Sequence, residues 1–469
     1  MRNGRPTTLA EEIATVAVEL QPHADEATEL RGRASSAVLD TVAVALAAAR
    51  EPSRSIAAEW ARTSYRAGGG GASVWGDGDV LAPAGAAFVN GVAAHALDYD
   101  DVNLAVGGHP SALLVPALVA AGEAADADGT ALLDAYMVGI HVSASVAAGL
   151  DLAAHYAKGW HATTTIGSIG AAAAVARLTG LTVEETCDAV CTAASIAAGS
   201  RENFGSMVKP LHVGVAAANV ILACELAGAG FEARETALDG PLGFLVLHAA
   251  DAPVQAAAAS TALRKGLRTF ATLNSVKKYP CCYQTHRALD AAVDLRRKFG
   301  TRVAAARRVV VTVDPGSDNS LIHADPTEPA QGRFSMQYTV AAALHDGRVG
   351  FDTFTEQALQ RQEVRDLMAR VAVEHEPIPP VGAEAFPEHY AVVHVECEDG
   401  QWLAGRADVA RGDPEAPLAP RELMDKVSDC LRLADPAPDA EAVAAAVARL
   451  VAGEPVRALT GALGAARLR

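Results

Sequence analysis

The chain has 469 residues, of which 50% are hydrophobic and 20% charged, and it carries a formal net charge of −17. That balance is ordinary for a globular protein and excludes a mainly disordered chain. The acidic charge excludes a duplex nucleic-acid binder, which needs a basic face, and it means that an anionic substrate would have to be held by local cations. At about 150 residues per domain the length predicts two or three domains. The seven cysteines are odd in number and show no paired CxxC spacing. They read as reduced, buried thiols of a cytoplasmic protein.

The opening MRNGRPTTLAEEIATVAVEL lacks the unbroken apolar stretch and cleavage pattern of a signal peptide. No run reaches the roughly 18 apolar residues of a membrane span, so no membrane partner is expected. Amphipathic spacing predicts helices over Thr8–Leu20, Leu30–Ala49 and Ser53–Thr63. The glycine run at residues 67–71 has no GKS or GKT sequel and reads as a connection, not a phosphate loop. Helical patterns resume at Pro83–Leu97, Pro110–Ala124, Ala131–Leu150 and Thr164–Leu178. Thr182 with Glu185 three residues later marks a capped helix start, followed by helices at Cys187–Ala198 and His212–Ala227. Several of these segments are apolar on every face, which places them inside a multilayer core.

After about residue 265 the texture changes. RRVVVTVD at 307–314 and YAVVHVEC at 390–397 are rich in β-branched residues and predict strands. Helical patterns at Gln284–Lys298 and Ser335–Leu344 lie between them. From Pro420 the chain reads as helix again, over Arg421–Leu433, Asp439–Leu450 and Pro455–Leu463. The expected fold is therefore mainly α. A large all-helical domain begins at 1–265, a smaller α+β domain of 266–400 is inserted, and 401–469 returns to the helical domain. A cleft between two such domains is a favoured ligand site.

Five polar clusters interrupt this apolar chain. HALDYDDVNLAVGGHPS at 95–111 holds His95, Asp98, Asp100, Asp101 and His109. On a helix, His95 and Asp98 share a face. The cluster admits three readings: capping of a helix break, acid/base work by a carboxylate–imidazole group, or a divalent cation site, for which no HExxH-like pattern exists. GWHATTTIGSIG at 159–170 places His161 before a helix that Thr163 or Thr164 can cap, and its amides could hold an anion. Gly167 and Gly170 point to close helix packing. SRENFGSMVKPLHVG at 200–214 sets Lys209 and His212 beside a helix N-terminus. A lysine there opposes the helix dipole, and a bound carboxylate would account for it. VKKYPCCYQTHRALDA at 276–291 gathers Lys277, Lys278, His286 and Arg287. Its Cys281 and Cys282 read as small buried residues instead of nucleophiles. RFSMQYTVA at 333–341 carries Gln337 and Tyr338, a tyrosine whose usual role is packing.

The set DYDD…GGHPS, GWH…TIGS, NFGSMVKPLHVG, KKYPCCYQTH and FSMQY, in this order, resembles the MmgE/PrpD family, and the likeness covers nearly the whole chain. That family includes 2-methylcitrate dehydratases, cis-aconitate decarboxylases and iminodisuccinate epimerases. The resemblance implies a helical domain with an α+β lid, a homodimer, and catalysis with no metal and no organic cofactor. It carries catalytic roles onto Asp98, His109, His161, Lys209, Lys277 and Tyr338. His212, Lys278, His286 and Gln337 become candidate substrate-binding residues. One departure is local: Val102-Asn103 stands where the family usually has threonine after the acidic motif.

The family reactions share one demand. A proton or carbon dioxide must leave a carbon beside a carboxylate, and the electrons gather as an enolate-like dianion. Fixed cations in a closed site stabilise that species, a role suited to Lys209 and Lys277. Histidine, titrating near neutrality, suits proton transfer. The expected activity is a cofactor-independent hydro-lyase on a small hydroxy di- or tricarboxylate. A decarboxylase or epimerase on the same scaffold is the alternative, and a non-catalytic carboxylate-binding protein is the alternative of another class.

Overall fold

The computed structural model describes residues 6–68, 70–271, 273–387, 389–434 and 436–463. Gly69, the middle of the glycine run, lies outside them. The chain divides into two compact units. The first holds residues through Asn203, then Met207–Asn274 and the segment from Pro420, and the second holds Phe204–Ser206 and Ser275–Ala419.

The first unit is helical. Leu9–Glu19 opens on a capping box made by Thr8 and Glu11. Val183–Ile196 opens on the expected one, with the Glu185 amide donating to Thr182 Oγ1 at 3.2 Å and the Thr182 amide to Glu185 Oε2 at 2.8 Å. Pro83 and Pro110 start the helices Pro83–Ala96 and Pro110–Ala124, where a missing N–H costs nothing. Pro110–Ala124, Gly129–Ala147 and Ala162–Leu178 are buried nearly all round and form the central layer. Two close approaches bring helices together. A Cβ on Gly170 would lie 2.4 Å from Gly139 O, so Ala162–Leu178 can meet Gly129–Ala147 only with glycine there. A Cβ on Gly214 would lie 2.5 Å from Phe88 O, so the same holds for Val208–Gly228 against Pro83–Ala96.

Among the described residues, three helices correct the expectation that no segment could span a bilayer. Ala27–Arg50, Gly129–Ala147 and Val208–Gly228 are long and apolar enough by length and composition. Their apolar windows are 72%, 89% and 56% buried within the protein, so most of that surface packs against neighbouring helices. All seven cysteines are buried.

The second unit is α+β. Its sheet has four strands: β1 (Arg308–Val313), β2 (Val371–His375), β3 (Ala391–Glu396) and β4 (Trp402–Ala407), in the order β2-β1-β3-β4. β1 and β2 are parallel, with Val311 opposite Val373. β3 is antiparallel to β1, with Val311 opposite Val393, and to β4, with Val393 opposite Gly405. Val309, Val311, Val313, Val393 and Val395 share one core with the helices His286–Phe299 and Met336–Asp346. Alternate residues along a strand face one side, which is why this valine set is buried together. β2 and β4 were not foreseen from sequence, and β4 carries this unit past residue 400 to Ala419.

Candidate active site

The acidic motif sits where the helix Pro83–Ala96 ends. Asp98 breaks it by adopting φ 51°, a left-handed conformation that few non-glycine residues take and that short polar side chains tolerate best. His95 and Asp98 therefore do not share a helix face, as spacing alone had predicted. His95 turns to Asp100 instead: its Nδ1 donates to Asp100 Oδ2 at 2.8 Å, with both side chains fully buried.

Asp100 serves a second imidazole. His109 Nδ1 lies 3.3 Å from the same Asp100 Oδ2 and 2.9 Å from the Asp101 carbonyl oxygen, to which it donates. The other ring nitrogen of His109, Nε2, is 3.8 Å from Asp98 Oδ1. That oxygen accepts a short hydrogen bond from the Lys209 ammonium. The chain His95–Asp100–His109–Asp98–Lys209 is thus continuous. His109 is its only partly exposed member, at 15% of its side chain, and the others are buried.

The carboxylate expected to balance Lys209 at its helix N-terminus is supplied by the protein. Lys209 is the second residue of Val208–Gly228, and Asp98 meets it. The close approach at Gly214 brings that helix within reach of the Asp98 turn. His161 is the N-cap residue of Ala162–Leu178, so Thr163 and Thr164 lie inside the helix and do not cap it. Thr163 Oγ1 instead accepts from the His109 amide at 3.1 Å, and Thr164 Oγ1 donates to the Ala198 carbonyl at 2.6 Å. The His161 ring stacks on His95 with centroids 5.6 Å apart, and its Nδ1 lies 3.3 Å from His212 Nδ1.

Burial sets the protonation states. Desolvation lowers His95 to about 4 against the pull of Asp100, so the ring donates as a neutral imidazole. It lowers His161 well below the usual histidine range, and the positive charges near it act in the same direction. His212 is lowered by burial and by Lys209. Burial alone would raise Asp100, but the two imidazoles outweigh it and hold the carboxylate ionised. Asp101 is raised to about 7 by burial and by the charges of Asp40 and Asp100. Its carboxyl accepts from the amide and hydroxyl of Ser111 and, at 2.7 Å, from the Asn274 amide group. Asp101 thus caps the start of Pro110–Ala124.

Asn103, the second residue after the acidic motif, is fully buried. It accepts from the Ala105 and Val106 amides and donates to Asn274 Oδ1 at 2.7 Å, which ties the 103–108 turn to the cluster. His95, Asp98, Asp100 and His109 each place one potential ligand atom within 4.8 Å of the others. Lys209 already brings a positive charge to Asp98, the need a cation would otherwise meet.

The second unit holds the remaining candidates. Lys277 is buried at 1% exposure. Lys278 pairs with Asp290 at 3.3 Å and lies 5.1 Å from the Tyr279 ring centroid. His286 is fully buried between Tyr279 and Tyr283, with Nε2 3.4 Å from the Cys281 carbonyl. Tyr338 is fully buried and donates its hydroxyl to the Thr353 carbonyl. Burial raises it to about 12. Gln337 is half-buried beside it. Sequence reasoning left His95 and Asp100 out of the catalytic set. The signal was present in a histidine and an aspartate flanking a helix break, but their pairing depends on the turn at Asp98.

Two family models match the chain, the MmgE/PrpD N-terminal domain over residues 11–257 and the MmgE/PrpD C-terminal domain over 279–450. The cis-aconitate decarboxylase of Homo sapiens is 31% identical over 365 residues, covering 76% of this chain and 74% of that protein. Its Mus musculus counterpart is 30% identical over 366 residues, covering 76% and 73%. The cis-aconitate decarboxylase-like protein oryM of Aspergillus oryzae is 28% identical over 441 residues, covering 88% and 89%. Two domain models in tandem and relatives along three quarters of the chain place this protein in the MmgE/PrpD family.

Proposed function

We propose that this protein is a lyase that cleaves a bond at a carbon beside a carboxylate in a small polycarboxylate, and that the reaction is decarboxylation of a cis-aconitate-like tricarboxylate. The observation that carries the reading is the buried Lys209–Asp98 ion pair with His109 against it. In decarboxylation the C–C bond to the departing carboxylate breaks and its electron pair stays on carbon. An adjacent carboxylate takes up that charge, and a fixed cation stabilises it most where water is excluded. Lys209 meets that need. In a cis-aconitate-like substrate that electron pair forms a new double bond as the old one shifts. A proton must then reach the far carbon of the original double bond, which leaves a methylene group. His109 is the partly exposed imidazole, held by Asp100 and the Asp101 carbonyl, and it suits a group that gives up a proton and recovers one from solvent. The names of the relatives agree with this choice.

Dehydration of a hydroxy acid is the second reading, and one observation favours it. His161 is kept neutral by burial, which leaves an imidazole ready to act as a base at neutral pH. Proton NMR in D₂O with cis-aconitate, 2-methylcitrate, citrate and iminodisuccinate separates the readings. Carbon dioxide release with a new methylene signal from cis-aconitate is the expected result. Loss of a hydroxy acid with growth of a vinyl signal would replace decarboxylation by dehydration. Deuterium exchange without net loss would indicate epimerisation, and no change with any acid would reject the polycarboxylate reading.

A further inference from the structure

Lys426 stands far from the acidic motif in sequence and in contact with it in the fold. It lies on Pro420–Leu431, which packs against Ala27–Ala47 in the first unit. Its side chain is buried. The ammonium is 2.6 Å from Asp40 Oδ1, donates to the Tyr99 carbonyl at 2.9 Å, and lies 3.9 Å from the Tyr99 ring centroid. Asp40 is fully buried, and Tyr99 is 6% exposed. Tyr99 is the residue between Asp98 and Asp100.

A buried ammonium is costly unless it is paired and hydrogen-bonded. Here each of its contacts is spent on one counter-charge and one residue of the acidic turn. The Tyr99 carbonyl lies in the peptide that joins Tyr99 to Asp100, so fixing it fixes the turn that carries both carboxylates and in which Asp98 takes φ 51°. A shift in that turn would move the Asp98 carboxylate from Lys209 and the Asp100 carboxylate from both imidazoles. We propose that Lys426 is a positioning residue for the catalytic cluster: fixed by Asp40, it pins Tyr99 and so holds the acidic turn in its working geometry. The proposal rests on reading that cluster as the active site.

The full-length protein with Lys426→Met, Lys426→Arg and Asp40→Asn provides the test. Turnover is measured on whichever acid of the panel above the wild type converts, and amide hydrogen exchange is followed across residues 97–103. A displacement of about 1 Å at such a cluster costs on the order of 10²-fold in rate. The expected result for Lys426→Met is a fall in kcat of about 10- to 100-fold with KM nearly unchanged. Faster exchange should be confined to the acidic turn and its contacts. Lys426→Arg, which keeps the charge and the donors, should recover most of the rate. Wild-type kcat in folded Lys426→Met, or activity lost only in proportion to unfolded protein, would overturn the proposal. If the wild type converts none of the acids, the functional reading fails, and exchange at 97–103 still decides whether Lys426 holds the turn. Unchanged exchange there in Lys426→Met and Asp40→Asn would reject it.

Discussion

Lys209 donates to Oδ1 of Asp98 although the two stand 111 residues apart, one opening a helix and the other ending one. Both are buried, so each depends on the other for charge balance. Removing one partner of a buried pair costs about 3–5 kcal/mol, because the remaining charge is left uncompensated. Lys209→Met should therefore abolish turnover and lower stability by about that amount. The double variant Lys209→Met/Asp98→Asn should regain most of the stability and none of the activity. Urea denaturation of Lys209→Met, Asp98→Asn and the double variant would show this, and equal stability of single and double variants would count against the pair.

His109 and His161 differ in their surroundings, and their substitutions should differ too. His109 is partly exposed, so His109→Asn should leave stability within about 1 kcal/mol of wild type. If it moves the proton, kcat should fall about 10²- to 10⁴-fold. His161→Asn disturbs a buried contact with His212 and should lower both stability and rate. A His109→Asn enzyme with wild-type kcat would remove His109 from proton transfer.

Stability should fall on acidification. His95 and His155 titrate at about 4 in the folded state because burial lowers them, while the unfolded chain takes up their protons near 6.5. A lowered histidine contributes stability that is fully present above about 6.5 and is lost as pH falls towards about 4, at up to about 1.4 kcal/mol per pH unit for each group. Asp101 acts in the opposite sense. Its folded carboxyl is raised to about 7, so it favours the folded state increasingly as pH falls through that value. Asp101→Asn should then steepen the acid slope between pH 7 and 5. Denaturation curves at three pH values would decide, and an unchanged slope would refute the offset.

Charge balance by Lys209 predicts that bound divalent metal is not needed for turnover. Dialysis against EDTA should leave activity unchanged within error. Loss of activity that one divalent cation restores would assign His95, Asp98, Asp100 and His109 to a metal instead.

Much of the local structure was legible in the chain. Thr182 with Glu185 caps the helix it precedes, and the first helix begins beside Thr8 as its amphipathic spacing indicated. Runs that are apolar on every face became the central layer, and β-branched runs became β1 and β3. These signals are local, because a cap or a helical period acts over a few residues. β2 and β4 escaped for the same reason. VAVEH is short and partly exposed, and WLAGRA contains a glycine and an arginine, so their strand state comes from pairing with β1 and β3.

The motif set identified the family by residue type and order, and net charge alone required that any anion be held locally. The partners were settled only by tertiary structure. Lys209 meets a protein carboxylate, Asp100 bridges two imidazoles, Tyr338 and His286 turn into the core, and Lys426 reaches Tyr99 across more than 300 residues. Such contacts need two helices to approach closely, as Gly214 allows, and a backbone to turn against its preference, as Asp98 does. Sequence spacing carries residue chemistry and local period, but the distance between a buried lysine and its counter-charge is fixed by packing.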